Sequence, residues 1–312
     1  MLKLLLKLAV TAGLFWWLLS QVDSASLRTL LAQAQAGYLL LAVAIYSTGV
    51  VVSGWRWQAV ARALRLRLSL AFFVRKYYEG MWFSQALPSG IGGDVVKAYA
   101  LTKASGKAKP AVMSVLLERA SGLGVLVGLL ALSMPLLWQF FPGHPVFWLL
   151  LLLTGCGLAA VPVLMFAVRW EGLYTRKATR FFWRLSRDVN RVFFASWGRL
   201  LVQAGSSLYV QLASIGAFWC VAQALGQQVD FMVCVALCPP LFLLLVLPVS
   251  LAGWGLREGA AVGLFTLAGV MDAPAALAVS LVYGVVTLAT AVPGGVFWIT
   301  DRSRLVAAKD VR

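Results

Sequence analysis

Long apolar segments that carry few charged side chains dominate this sequence. A helix of about 20 such residues is long enough to cross the hydrocarbon core of a bilayer. Charged residues make up only 12% of the 312 residues, and hydrophobic residues make up 61%. A soluble domain uses about a quarter of its residues as charged ones, so this chain must bury much of its surface in lipid. We therefore predict an all-α, polytopic integral membrane protein.

Six segments have the length and composition of full membrane spans. They lie at about residues 4–20, 38–60, 110–138, 146–168, 200–224 and 273–299. The first follows Lys3 and Lys7 in the manner of a signal peptide, and we expect it to be retained as a span. All six belong to a single predicted transmembrane domain, residues 1–312.

The basic residues predict the orientation of these spans. The net charge is +16, but the charges lie in short segments between apolar runs, which argues against a nucleic-acid partner. Basic residues follow the second, fourth and last spans: Arg62, Arg65 and Arg67, then the stretch 169–199, then Arg302, Arg304 and Lys309. The loops at 140–145 and 226–230 contain none. The positive-inside rule therefore places both termini in the cytoplasm of a bacterial-type inner membrane.

Two further apolar regions are interrupted near their centres. Residues 70–101 are broken at 87–93, which includes Pro88, and residues 231–269 are broken at 247–255, which includes Pro248. Proline removes a backbone donor, and glycine clusters lower helix propensity. We predict two re-entrant helix pairs, one entering from the cytoplasm and one from the outside.

The spacing of these features suggests an internal repeat. Pro88 and Pro248 are 160 residues apart, and the neighbouring spans recur at nearly the same interval. Units at about 38–138 and 200–299 would then form an inverted repeat, as in many transporters. The alternative is a coincidence between two interruptions of a common kind.

Six ionic residues lie close to these breaks or within a span. They are Asp94, Lys97, Glu118, Arg119, Arg257 and Glu258. Each charge costs about 2.5–3.5 kcal/mol on insertion scales; three acids and three bases are therefore expected to pair in one buried network. Whether these pairs serve function or only hold the bundle together stays open for Glu118 and Arg119.

The breaks also predict an anion site. Each one begins a half-helix whose N-terminus presents free N–H groups and the positive end of a dipole. We expect the N–H groups near Gly92, Gly93, Gly253 and Gly255, together with Lys97, Arg257 and Arg119, to meet a phosphate. Asp94, Glu118 and Glu258 would balance these bases in the empty site.

The order of these motifs resembles a known family, the transmembrane region of lysylphosphatidylglycerol synthase, also called the flippase-like domain family. The motifs that carry the resemblance are Leu87-Pro88-Ser89, Gly92-Gly93-Asp94, Lys97-Ala98, Glu118-Arg119 and Gly253-Trp254-Gly255-Leu256-Arg257-Glu258-Gly259. The resemblance implies movement of aminoacylated phosphatidylglycerol or polyprenyl-phosphate carriers between leaflets. Family members that make lysylphosphatidylglycerol carry a soluble synthase domain after the membrane part. This sequence ends at Arg312, so synthesis is not implied.

The leading hypothesis is a flippase for an anionic phospholipid or a polyprenyl-phosphate lipid. Protonation of one of the three acids would couple transport to the proton gradient. The alternatives are a membrane-embedded enzyme acting on lipid-phosphate headgroups and a scaffold for a lipid-synthesis enzyme. We predict no catalytic residue, metal site or cofactor, because the cysteines lie in apolar stretches and His144 lies in an outer loop.

The basic stretch 169–199 has a helical pattern of its own. Its arginines recur every three or four residues and share one face: Arg176, Arg180, Arg184, Arg187 and Arg191. This pattern favours a helix in the cytoplasmic interface that contacts anionic headgroups. An ordinary positive-inside loop is the alternative.

Overall fold

The structure, a computed structural model, describes residues 29–86, 92–169, 179–246 and 253–310, and it is built from helices. The first group is α1 (Ala36–Ala63), α2 (Leu70–Ala86), α3 (Gly92–Ser105) and α4 (Ala108–Phe140). Two connecting helices follow, α5 (Pro145–Phe166) and α6 (Arg180–Val189). The second group is α7 (Trp197–Ala224), α8 (Phe231–Leu244), α9 (Leu256–Leu267) and α10 (Ala273–Asp310).

Among the described residues, five helices are long and apolar enough to cross a membrane. They are α1, α4, α5, α7 and α10, and they coincide with five of the six predicted spans. The remaining predicted span, residues 4–20, lies outside the described residues. The prediction of an all-α polytopic membrane protein is confirmed.

Both interrupted regions form two separate helices. Residues 70–101 divide into α2 and α3, and residues 231–269 divide into α8 and α9. Pro88 and Pro248 lie outside the described residues. In the first region the chain turns back on itself: Gly93 approaches the backbone of Gly80, and Phe73 near the start of α2 shares a core cluster with Leu101 near the end of α3.

The hairpin of α2 and α3 depends on glycine at its closest point. A Cβ atom on Gly93 would overlap the carbonyl oxygen of Gly80 and the hydroxyl of Ser84. A Cβ atom on Gly80 would lie 3.0 Å from the carbonyl oxygen of Gly93. Because only glycine lacks this atom, the first turn of α3 is able to lie directly against α2.

Helices α1 and α7 form an antiparallel pair through the middle of the protein. The N–H of Gln35 at the start of α1 donates to the carbonyl of Ala224 at the end of α7, at 2.9 Å. Near the other end, Nη1 of Arg56 donates to Oγ of Ser207 at 2.8 Å. The first helices of the two groups therefore run in opposite directions.

The two groups also pack on each other reciprocally. The second helix of the first group, α2, contacts the last helix of the second group, α10, and α8 likewise contacts α4. A Cβ atom on Gly294 of α10 would overlap the carbonyl oxygen of Tyr78 of α2. At the other contact, Oγ of Ser133 in α4 donates to the carbonyl of Val235 in α8 at 3.2 Å. Each hairpin is thus supported by the long helix of the opposite group.

Helix α6 covers one end of α1 and α4. Its buried Val189 and the following Val192 pack against Leu64 and Leu117. The side chains of Arg184 and Arg187 are exposed on the other side. The predicted helix is therefore present from residue 180, Arg176 lies outside the described residues, and contact with headgroups stays a prediction.

Candidate functional site

A cavity of about 650 Å³ lies between the two groups of helices. Side chains from α1, α2, α3, α4, α7, α8, α9 and α10 line it. Five of the predicted site residues are on its wall: Gly93, Asp94, Lys97, Glu118 and Arg119 from the first group. A sixth, Arg257, comes from the second group. The structure therefore brings the charges that follow both breaks to one cavity.

Glu118 connects four helices at the bottom of this cavity. Its Oε1 atom accepts from Nη2 of Arg56 on α1 and, at 3.3 Å, from the hydroxyl of Tyr77 on α2. Its Oε2 atom lies 3.4 Å from Nζ of Lys97 on α3. The carboxylate is only 2% exposed, and an ion this deeply buried needs such donors to offset its lost hydration.

Lys97 continues this network to the cavity wall. Its Nζ atom lies 2.9 Å from Oδ1 of Asp94, one turn earlier in α3. The same ammonium group lies 4.4 Å from the ring centre of Tyr77 and 5.6 Å from that of Trp57. Asp94 in turn contacts Nη1 of Arg119 at 2.5 Å. The predicted pairs of the first break and of α4 therefore form one network.

Arg56 is a charged member of the site that the sequence reasoning missed. It lies within the segment assigned to the second span, and its side chain is buried against Glu118 and Ser207. Its Nε atom has no hydrogen-bond partner among the described residues. A basic residue inside a predicted span is itself a functional signal, and this signal could have identified Arg56 from the sequence.

Arg257, which lines the cavity from the second group of helices, and Glu258 form a second cluster. Nε and Nη2 of Arg257 lie 3.0 and 2.5 Å from Oε1 of Glu258. The guanidinium carbon lies 4.6 Å from the ring centre of Trp254 and 5.9 Å from that of Tyr283. We expected the six ionic residues to form one network. Among the described contacts they form two clusters, and residues of both clusters line the cavity.

The glycines at the breaks have different positions. Gly93 lines the cavity, while Gly92 is buried in the first turn of α3. Gly253 and Gly255 have positive φ angles of 84° and 81°, which glycine adopts readily. The N–H of Gly255 already donates to Oε2 of Glu258 at 2.6 Å. This donor, expected to be free for phosphate, is therefore occupied by an internal carboxylate.

The balance of charge at the site is positive. Four bases line the cavity: Arg56, Lys97, Arg119 and Arg257. The acids Asp94 and Glu118 line it too, and Glu258 is buried behind Arg257. Fully ionised, these seven groups carry one net positive charge, because Arg56 is a fourth base beside the three expected. A cavity of this kind attracts an anion.

Neutral polar and aromatic groups complete the wall. The aromatic ones are Tyr46, Tyr77, Phe242 and Tyr283, and the polar ones include Ser84, Gln85, Gln211, Ser214 and Thr287. Nε2 of Gln211 donates to the carbonyl of Gly122 at 3.2 Å, which fixes that amide beside the charged groups. Donors and acceptors of this type can form hydrogen bonds with the neutral polar part of a ligand.

Comparison with known proteins identifies one family. The model of the lysylphosphatidylglycerol synthase TM region matches residues 4–295, which is nearly the whole chain. No protein with a curated function gives a significant match.

Proposed function

Since the chain belongs to the family of the lysylphosphatidylglycerol synthase transmembrane region, we propose that it is a lipid transporter of the flippase type. Its cargo is an anionic phospholipid or a polyprenyl-phosphate-linked lipid, which it moves between the leaflets of a bacterial-type inner membrane. The observation that carries this proposal is the positively charged cavity lined by both Lys97 and Arg257.

The depth of the cavity supports transport rather than surface binding. Glu118 lies ten residues after the first residue of α4, Ala108, which corresponds to about 15 Å along the helix. The predicted span begins near residue 110, which would place Glu118 about 12 Å inside a hydrocarbon core of about 30 Å. Ionised groups at that depth are costly, so those that occur are usually paired and mark a pathway for polar groups.

The ion pairs suggest how an anion enters and leaves. In the empty site Lys97 is neutralised by Asp94 and Glu118. An incoming phosphate takes the place of one of these carboxylates at Lys97, and Arg119 or Arg257 supplies a second contact. Because internal carboxylates return to the bases afterwards, the phosphate is released without leaving bare charges in the bilayer.

The packing of the two groups supports an inverted repeat with two re-entrant hairpins. The helices α1 and α7 start the two groups 161 residues apart, at Ala36 and Trp197, and they are antiparallel. Related units of opposite sense give two arrangements of similar energy, open to either side of the membrane. The basic loops favour a cytoplasmic location for both termini.

Reconstitution in vesicles tests this function. Vesicles carry either fluorescent phosphatidylglycerol or fluorescent polyprenyl phosphate, and a membrane-impermeant reductant reports how fast inner-leaflet lipid reaches the outside. We expect the wild-type protein to accelerate exchange of at least one lipid, and the variant Lys97→Gln with Arg257→Gln to lose this acceleration. The matched control is Arg187→Gln, which removes an exposed arginine of α6.

The same vesicles separate the rival functions. A transporter leaves both lipids chemically unchanged, whereas an enzyme alters their mass in extracted samples. A scaffold predicts that the double variant behaves as the wild type, both in vesicles and in cells. Exchange no faster than in protein-free vesicles, for both lipids, contradicts the proposed function.

A further inference from the structure

One wall of the cavity is apolar and exposed. Leu116, Ala120 and Leu123 all line the cavity, and their spacing places them on one face of α4. Leu116 is 45% exposed and Leu123 is 37% exposed. All three lie within a helix that is long and apolar enough to cross a membrane. This face of α4 therefore belongs both to the cavity and to the outer surface of the protein.

The second helix group contributes a similar edge. Leu245 and Val246, directly after α8, line the same cavity, and Val246 is 44% exposed. Most ionic groups on the cavity wall are much less exposed, since Lys97, Glu118 and Arg257 are each at most 6% exposed. The exception is Arg119, next to Ala120 on α4, whose side chain is 44% exposed. Polarity is therefore divided: most of the charges are buried in the cavity, and the exposed rim carries aliphatic side chains together with Arg119.

This division identifies the kind of ligand that fits. Exposed aliphatic side chains are favourable where they meet hydrocarbon and unfavourable where they meet water. A rim formed by leucines of the membrane-crossing helix α4 and continued by Val246 is therefore suited to lipid chains. A charged interior with such a rim matches a molecule whose headgroup is anionic and whose tail is a hydrocarbon.

We propose that the α4 face of Leu116, Ala120 and Leu123, together with Leu245 and Val246, is a lateral portal that binds the hydrocarbon chain next to the headgroup. The proposal rests on the proposed function, because the headgroup of the same lipid occupies the cavity. The lipid then turns over with its head inside the protein and its chain passing through the portal into the bilayer.

Photo-crosslinking tests the location of the chain. The probes are phosphatidylglycerol and, in a parallel sample, a polyprenyl phosphate, each with a diazirine on the chain close to the headgroup. We expect label concentrated at residues 116–123 and 245–246, and weakened when Lys97→Gln and Arg257→Gln remove the headgroup contacts. An even distribution over exposed apolar residues, Leu132 of α4 included, overturns the portal.

Bulky substitutions test whether the portal is used. Leu123→Trp should slow exchange of the fluorescent lipids about tenfold or more, because added volume obstructs a fitted passage. Leu132→Trp is the matched control on the same helix; Leu132 is 80% exposed and lies outside the cavity lining that the structure describes. If the wild type exchanges lipid and Leu123→Trp exchanges it equally fast, the portal is rejected and the proposed function is not. If the wild type itself does not accelerate exchange, the proposed function is rejected.

Discussion

Nζ of Lys97 lies 3.4 Å from Oε2 of Glu118, so an ion pair ties the hairpin of α2 and α3 to the long helix α4. Arg56 contacts the other oxygen of the same carboxylate from α1. One buried acid thus pairs with two bases from different helices. Its removal is expected to affect both the stability of the helix bundle and the proposed anion site, and these two effects are separable by experiment.

Glu118→Gln is expected to destabilise the protein. The amide keeps the shape of the side chain but leaves Arg56 and Lys97 without their shared counter-charge, and breaking a buried pair in this way costs about 3–5 kcal/mol. Denaturant unfolding in detergent measures the loss. The double variant Arg56→Met with Glu118→Leu should lose less stability than Glu118→Gln, since it leaves fewer uncompensated charges. If the stability lost in the double variant equalled the sum of the losses in Arg56→Met and Glu118→Leu measured singly, the pairing of the two side chains would be contradicted.

Arg257→Lys is expected to slow lipid exchange. Arginine stacks on Trp254 and donates through two nitrogens to Glu258, whereas lysine presents a single point charge. The loss of stacking alone is worth about 0.5–2 kcal/mol. The vesicle assay measures the rate. Arg187→Lys is a matched control, because Arg187 lies 5.5 Å from the ring of Trp183 and pairs with Asp188 on the exposed side of α6. If Arg257→Lys and Arg187→Lys changed the exchange rate equally, a specific role of Arg257 in lipid exchange would be contradicted.

Gly294→Ala is expected to separate α2 from α10. The added methyl group would overlap the carbonyl oxygen of Tyr78, and overpacking of this kind costs about 1–3 kcal/mol. The thermal midpoint of the purified protein should fall. Gly128→Ala provides the comparison: it is also a helical glycine, but nothing lies within 4 Å of its added methyl group. A Gly294→Ala protein as stable as Gly128→Ala would show that the two helices are not in backbone contact.

Proton coupling predicts that one acid of the site controls the pH dependence of transport. The variants are Asp94→Asn, Glu118→Gln and Glu258→Gln, each assayed in vesicles over a range of pH. We expect the steep part of the pH profile to flatten in the variant that lacks the titrating acid. Asp94 is the most accessible of the three, because its side chain is 17% exposed and those of Glu118 and Glu258 are at most 2% exposed. Three profiles that match the wild type would exclude coupling through these acids.

The order of helices follows closely from the sequence. The length of the apolar segments predicted the five described spans. The residues around Gly92 and Gly253 predicted where α3 and α9 are separated from the helices before them. These features are local: a span needs only a run of apolar residues, and a break needs only proline and glycine. The ionic residues near the breaks were conspicuous for a related reason, since charge stands out in an apolar segment.

Tertiary packing decided which of these charges meet. Arg56 and Glu118 are 62 positions apart, and their contact depends on how α1 and α4 are rotated about their own axes. Membrane helices are apolar on nearly every side, so their sequences give little indication of which face is turned inward. The same uncertainty hid the exposed leucines of α4 beside the cavity. The bond from the N–H of Gly255 to Glu258 is different, because it joins residues three positions apart at the start of α9 and is a local capping contact. The sequence alone determined where the apolar spans lie and where they are interrupted. The packing of the helices decided which buried charges are paired and which aliphatic side chains of α4 are exposed beside the cavity, because these contacts depend on how each helix is rotated about its axis.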